Sequence, residues 1–179
     1  TQAFNASVLE LNPGSVLFSF TNASGIPFNV TAANASGNWN ANVDLGRLLE
    51  GSHTMVVLAN DSAGNYNRTQ LVQFIVDRTA PNLTVMAPLS NRNFTIATSN
   101  QTFNVSVRDS LLAVDSVRFS FDNASGTNFN ATAVNQSGYW ILSYNVSVLA
   151  QGSHTVTILA NDSVGNYNRT ESISFAVDN

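Results

Sequence analysis

The residues able to do chemistry in this chain are few, and most of them occur twice. His53 and His154 are the only histidines, and both sit in the tetrapeptide GSHT. A hydrolytic triad needs a histidine beside an activated serine, with a third group orienting it. A histidine at the same strand entry in two copies fits a turn-holding role better. Two histidines that far apart also make no metal site without carboxylates. Asp61 with Asp77, and Asp162 with Asp178, flank the last predicted hairpin of each copy. Their hard oxygens would suit calcium, with Asp77, Asp109 and Asp162 the first candidates. No dense acidic run of the EF-hand kind is present, and Asp or Asn at strand ends also makes Asx-turns. No carboxylate pair has supporting acid–base residues, so no catalytic residue is assigned.

The most abundant chemical signal is the glycan-acceptor triplet Asn-x-Ser/Thr. It occurs about 16 times, where roughly five are expected by chance. The acceptors are Asn5, Asn22, Asn29, Asn34, Asn60, Asn67, Asn82, Asn93, Asn100, Asn104, Asn123, Asn130, Asn135, Asn145, Asn161 and Asn168. An alternating strand with a polar face generates some of these automatically, because positions i and i+2 share that face. Asn5, Asn29, Asn104, Asn130 and Asn145 fall in this class. Asn22, Asn34, Asn60, Asn123, Asn135 and Asn161 lie at or beside turns and need another reason. Parity places the strand-borne acceptors, Asn161 and Asn168 included, toward solvent, where a covalent glycan is tolerated.

Composition sets the limits around these residues. The 179 residues include no cysteine, and the seven basic residues are all arginine. Disulfides, thiolate metal sites, lysine Schiff bases and Lys–Asn isopeptide cross-links are therefore excluded. Charged residues are only 10% of the chain, the net charge is −4, and about 25 residues are asparagine. An acidic chain with scattered arginines carries no nucleic-acid footprint. The longest apolar run, Met55 to Ala59, is far below the roughly 20 residues of a membrane span. No signal-peptide pattern opens the chain, so a targeting segment is expected to be removed or to lie outside it.

Two repeats must position these residues. VLFSFTNASG at 16–25 recurs as VRFSFDNASG at 117–126, and GSHTMVVLANDSAGNYNRT at 51–69 recurs as GSHTVTILANDSVGNYNRT at 152–170. Residues 16–78 align on 117–179 without a gap at roughly 55% identity, a domain-sized repeat. Apolar residues alternate with polar ones along Phe103–Arg108, Val117–Asp122, Thr155–Asn161 and Ser172–Val177, and turn clusters separate them. The expected fold is all-β: two tandem β-sandwiches, residues 1–78 and 79–179, of about seven short strands each. Trp39 and Trp140 are expected in the cores. Gly64 and Gly165 are expected at the last reversal, with Tyr66 and Tyr167 packing at the hairpin end rather than meeting a sugar or a neighbour. The first copy begins at the strand of Phe4 and has no counterpart of the strand-like LTVMAP at 83–88. Either a longer tandem array or a strand from a neighbouring subunit would complete it.

GSHTVTILANDSVGNYNRTESISFAVD at 152–178, with the VDRTAP junction at 76–81, resembles the last strands and linker of immunoglobulin-like or fibronectin-type-III-like repeats of archaeal and bacterial surface proteins. The resemblance implies two immunoglobulin-like sandwiches and says little about activity, since such modules serve as stalks, adhesin shafts, surface-layer units and enzyme spacers. The resulting expectation is a non-enzymatic, N-glycosylated extracellular filament or surface-array subunit, of archaeal type. Its partners would be identical subunits, and its only prosthetic groups covalent glycans. An adhesin or carbohydrate-binding module, and an accessory domain of a secreted enzyme, are the alternatives.

Overall fold

The computed structural model describes residues 1–22, 24–95, 100–122 and 128–178. The chain divides into two compact units, Thr1–Asp77 and Arg78–Asn179. Both are built from strands, and among the described residues no helix is long and apolar enough to cross a membrane.

The first unit has seven strands: β1 (Gln2–Ser7), β2 (Pro13–Thr21), β3 (Pro27–Thr31), β4 (Ala33–Ala35), β5 (Asn38–Val43), β6 (Gly51–Asp61) and β7 (Tyr66–Val76). They form two sheets, ordered β1-β5-β4 and β3-β2-β6-β7. The second unit has β8 (Asn82–Ala87), β9 (Arg92–Thr95), β10 (Asn100–Arg108), β11 (Val114–Phe121), β12 (Phe129–Thr132), β13 (Val134–Gln136), β14 (Tyr139–Asn145), β15 (Gly152–Asp162), β16 (Tyr167–Asn168) and β17 (Ser172–Asp178). Its sheets run β13-β14-β10-β8 and β12-β11-β15-β17-β9, with β16 beside β15.

Alternation explains the burial. In β11, Val117, Phe119 and Phe121 are fully buried, and Val156, Ile158 and Ala160 of β15 meet them across the sheet. Burying one such side chain contributes roughly 1.5–3 kcal/mol, so the inward rows of the two sheets hold each sandwich together. Trp39 and Trp140, at 6% and 7% exposure, are core residues, as their strand parity predicts. Hairpin chemistry is equally local. Ser137 and Gly138 both take positive φ, 55° and 87°, which is the requirement of a two-residue type I′ turn, and β13 and β14 pair across it.

The units differ in their last strand, which is continuous as β7 but split into β16 and β17, and in what precedes β10. Residues 82–95 add two strands to the second unit, not the single first strand expected. β8 pairs antiparallel with β10 in one sheet, and β9 pairs parallel with β17 in the other. Residues 1–77 contain no counterpart of either. The sequence shows LTVMAP as a strand because its apolar residues alternate. The four residues of β9 are too few, and too polar in RNFT, to show a period.

Candidate functional site: the strand-end carboxylates and the acceptor asparagines

Asp162 closes β15 and turns the chain toward β16. Its Oδ1 accepts the backbone N–H groups of Val164, Gly165 and Asn166 at 2.8–2.9 Å, and its Oδ2 accepts from Asn166 Nδ2 at 2.7 Å. Gly165 has φ of 94°, the left-handed backbone this loop needs. Asp162 is 1% exposed. Burial raises its carboxyl pKa, but the hydrogen bonds outweigh burial and hold it below the ordinary value. Asp61 holds the matching loop of the first unit through Ala63, Asn65 and the Asn65 side chain, and its pKa is lowered chiefly by that side-chain bond. Both loops are Asx-turns, so these two carboxylates have a structural task.

Asp109 works the same way at the end of β10, its Oδ1 accepting from Leu111 N and Leu112 N at 2.9 Å each. Its Oδ2 is buried without a hydrogen-bond donor. Asp77 is the residue joined directly to the second unit, and one oxygen each of Asp77, Asp109 and Asp162 lies within 4.8 Å of the other two. Three hard anionic oxygens suit a divalent cation in kind, but calcium takes six to eight ligands. The three side chains alone are therefore half a coordination shell.

The histidines hold turns. His154 Nε2 faces Ala150 O at 2.7 Å and its Nδ1 faces Asp122 Oδ1 at 2.9 Å. His53 Nε2 faces Leu49 O at 2.8 Å. Thr21 occupies the first-unit position of Asp122, so His53 has no matching carboxylate. Among the described residues neither histidine is bonded to a serine hydroxyl, so no triad is assembled there.

The acceptor asparagines fall into two groups. Asn5, Asn29, Asn34, Asn67, Asn82, Asn93, Asn100, Asn130, Asn135 and Asn145 are exposed. Asn22, Asn60, Asn104, Asn161 and Asn168 are half-buried. Asn123 lies outside the described residues. The outward reading of Asn161 and Asn168 needs correction. Asn161 accepts from the Ser116 hydroxyl and donates from Nδ2 to Asp115 Oδ2 at 3.2 Å and Asp162 O at 3.3 Å. Asn168 donates from Nδ2 to Pro81 O at 3.0 Å. Parity gives the side of a sheet but not the neighbour that meets it, here the start of β11 for Asn161 and the chain entering β8 for Asn168. Others cap local structure. Asn34 and Asn135 accept from Gly37 N and Gly138 N, and Asn145 caps a short 3-10 turn at Ser147.

Tyr66 and Tyr167 are also corrected. They are 76% and 61% exposed, not packed at the hairpin end. Each pairs with the outward-parity asparagine of the strand before it, Asn60 and Asn161, which puts the rings outside the sandwich. Residues missed in the sequence include Ser15, which donates to Asn60 Oδ1 from N and Oγ at 2.8 and 2.6 Å, and its counterpart Ser116. Their identical placement in both repeats was the available signal.

Residues 81–158 match the family described as the bacterial Ig domain. No curated protein matches the chain. The fibronectin(III)-like modules of CbhA from Clostridium thermocellum align over 99% of this chain and 86% of theirs, at 17% identity and a TM-score of 0.51. A tetra-tandem repeat from the extending region of a large adhesion protein aligns over 98% of this chain at 25% identity and a TM-score of 0.47. A Ca2+-stabilized adhesin with which an Antarctic bacterium binds ice aligns over 98% at 20% identity and a TM-score of 0.48. The chain spans 45% and 43% of those two adhesin chains. The CbhA likeness concerns the fold, and with the Ig-domain match over 81–158 it makes this an all-β chain of immunoglobulin- and fibronectin-III-like sandwiches.

Proposed function

We propose that this chain is a non-enzymatic structural segment of an extracellular, N-glycosylated surface protein. In this reading it extends by tandem repetition or by strand pairing with identical subunits. The observation that supports it best is the duplication itself: one sandwich occurs twice, and its candidate chemical residues serve turns in both copies. His53, His154, Asp61 and Asp162 each satisfy a local backbone group. Ten acceptor asparagines stand exposed on otherwise charge-poor surfaces. Glycans would supply the solubility that charge does not. An archaeal origin belongs to the same proposal, on composition alone.

A divalent cation bound by Asp77, Asp109 and Asp162 is an accessory to this reading. Melting curves with calcium and with chelator decide it. The adhesin alternative draws on Tyr66 and Tyr167, the exposed aromatic rings that follow the last turn of each unit. Against it stand Trp39 and Trp140, which are core residues and offer no sugar platform.

Electron microscopy of native material, with intact and deglycosylated mass spectrometry, tests the proposal. Fibres or arrays of globules and a mass excess removed by deglycosylation are expected. A monodisperse monomer of unmodified mass would overturn it.

A further inference from the structure

Strand alternation builds a groove on the outward face of the first unit's larger sheet. β2, β6 and β7 lie side by side, with Ser15 opposite Asn60, Leu17 opposite Leu58, and Asn60 opposite Tyr66. Val16, Phe18, Met55 and Val57 form the buried inward row. The residues between them therefore point out. Ser15, Leu17, Leu58, Asn60, Tyr66 and Arg68 line a groove of about 420 Å³ on that side. Leu17 and Leu58 are half-buried, and Tyr66 is 76% exposed. Apolar side chains, an open aromatic ring and a guanidinium are the mixture that small-ligand sites use. Tyr167 holds the same outward position in the second unit, with β8 and β9 in place, and is still 61% exposed.

Asn60 lines this groove as the acceptor of the triplet Asn60-Asp61-Ser62. Its Oδ1 accepts from Ser15 N at 2.8 Å and from Ser15 Oγ at 2.6 Å, which fixes the orientation of the amide. Nδ2, the atom that would carry a glycan, has no partner among the described residues. The second unit is the contrary case. There Asn161 Nδ2 donates to Asp115 Oδ2 and Asp162 O, and the Arg169 guanidinium lies 5.6 Å from the centre of the Tyr167 ring. Gly14 takes the place of Asp115 in the first unit. A Cβ on Gly14 would come within 2.8 Å of Asp61 O, so that position resists any side chain that could hold Asn60.

We propose that a glycan on Asn60 docks in this groove, with its first sugar ring stacked on Tyr66 and its hydroxyls met by Arg68. Directly opposed residues of antiparallel strands have Cβ atoms about 4.5–5.5 Å apart. A sugar joined to Asn60 Nδ2 therefore lies beside the ring opposite it. The C–H face of a pyranose suits the negative face of an aromatic ring. Transfer from a lipid-phosphate-linked oligosaccharide forms the bond from sugar C1 to Nδ2. It breaks the C1–O bond to the lipid phosphate, which leaves with the electron pair, and it frees one Nδ2 proton. The docked sugar covers Leu17 and Leu58 and ties β2, β6 and β7 together on the side away from the core. Asn161 carries no docked glycan, because its amide is engaged and Arg169 already lies over Tyr167. The site rests on the N-glycosylated reading of the chain and adds the place where the sugar is held.

The test compares the chain with a Ser62→Ala chain, both from a host that attaches N-glycans. Ser62 is exposed, and its replacement removes the acceptor triplet while keeping the Asn60 bonds to Ser15. Peptide mapping reads occupancy at each asparagine, and tetranitromethane reads the accessibility of each tyrosine. A glycan at Asn60 is expected. Tyr66 should be nitrated roughly threefold more slowly than in the Ser62→Ala chain, since one covered ring face leaves the other open. Tyr167 should react equally in both chains. In a Trp140→Phe background, Trp39 should report a higher melting temperature for the glycosylated chain than for Ser62→Ala, and Tyr66→Ala should erase that lead. The same pair from a host without N-glycosylation should melt together. An occupied Asn60 with Tyr66 nitrated equally in both chains, or a lead that survives Tyr66→Ala, would overturn the docking and leave the glycoprotein reading standing. A bare Asn60 beside filled Asn5 and Asn29 would do the same. A chain with every acceptor bare would overturn the glycoprotein reading and this site with it.

Discussion

His154 Nδ1 sits 2.9 Å from Asp122 Oδ1, and the other oxygen of that carboxylate accepts Thr155 N–H at 2.8 Å. One aspartate therefore ties the end of β11 to the start of β15. His154 is 5% exposed, whereas His53, in the copy where Thr21 replaces the aspartate, is half-buried. Asp122→Thr installs the first-unit residue and removes both bonds. A charged hydrogen bond contributes about 1.5–3 kcal/mol, and the partial exposure of Asp122 brings the expected loss to about 1–2 kcal/mol. Urea unfolding in a Trp39→Phe background, reported by Trp140, measures it. Thr21→Asp should stabilise the first unit by under about 1 kcal/mol.

That pair marks the limit of what a local sequence pattern encodes. The repeat placed both histidines at equivalent strand entries and made a turn-holding role the expectation. The Thr21/Asp122 difference was visible too, but a partner 32 residues away is reached only through the pairing of β11 with β15. The same holds for Asn168, whose outward parity is sound until the chain entering β8 passes over it. Period-two patterns reveal strands and faces because they are local. Which strand lies beside which, and which polar groups meet across sheets, depends on topology that no local period encodes. The turn aspartates were legible because an Asx-turn is made by residues within four positions of each other.

In a chain of these 179 residues, the open edges of residues 1–77 should appear as unequal stability. Phe103 is fully buried among Phe119, Phe121 and Phe175, with ring centroids 5.3–6.1 Å away. Phe4 meets Phe18, Phe20 and Phe74 at similar spacing but is half-buried. Phe103→Ala should cost about 3–5 kcal/mol. Phe4→Ala should cost about half of that, because its ring already meets water on one side. In chains that keep one tryptophan each, Trp39 should therefore report unfolding at lower urea than Trp140. Coincident transitions from the two single-tryptophan chains would contradict this.

Acid should attack the Asx-loops first. Asp162 has its carboxyl held below the ordinary value of 3.8 in the fold and at that value in the unfolded chain. Its contribution to stability is fully present above the unfolded value and is lost as pH falls through the lower folded one. Asp61 acts in the same direction. Urea midpoints should hold steady from neutral pH to about 5 and fall steeply below about 4. Asp162→Asn, which does not titrate, should lower stability at neutral pH and flatten the acid limb reported by Trp140. An unchanged acid limb would assign the loss to other carboxylates.

Glycan occupancy should follow the fate of each side-chain amide. Transfer forms a bond at Nδ2, so an amide donating to a folded neighbour must first be released. Asn161 donates to Asp115 and to a backbone carbonyl, and Asn168 donates to Pro81 O. Asn104 is half-buried in β10, paired on both sides by β14 and β8. Modification of the folded chain should leave these three largely bare and fill exposed sites such as Asn5, Asn29, Asn82 and Asn130. Enzymatic deglycosylation in heavy-oxygen water converts each occupied asparagine to a labelled aspartate, so peptide mapping reads occupancy site by site. Asn168 is the sharpest case, because its amide is held by Pro81 O while its repeat partner Asn67 is exposed among residues 1–77. High occupancy at Asn67 with low occupancy at Asn168 is the expected result. Equal occupancy of the two would mean that glycans are attached before the second sandwich closes.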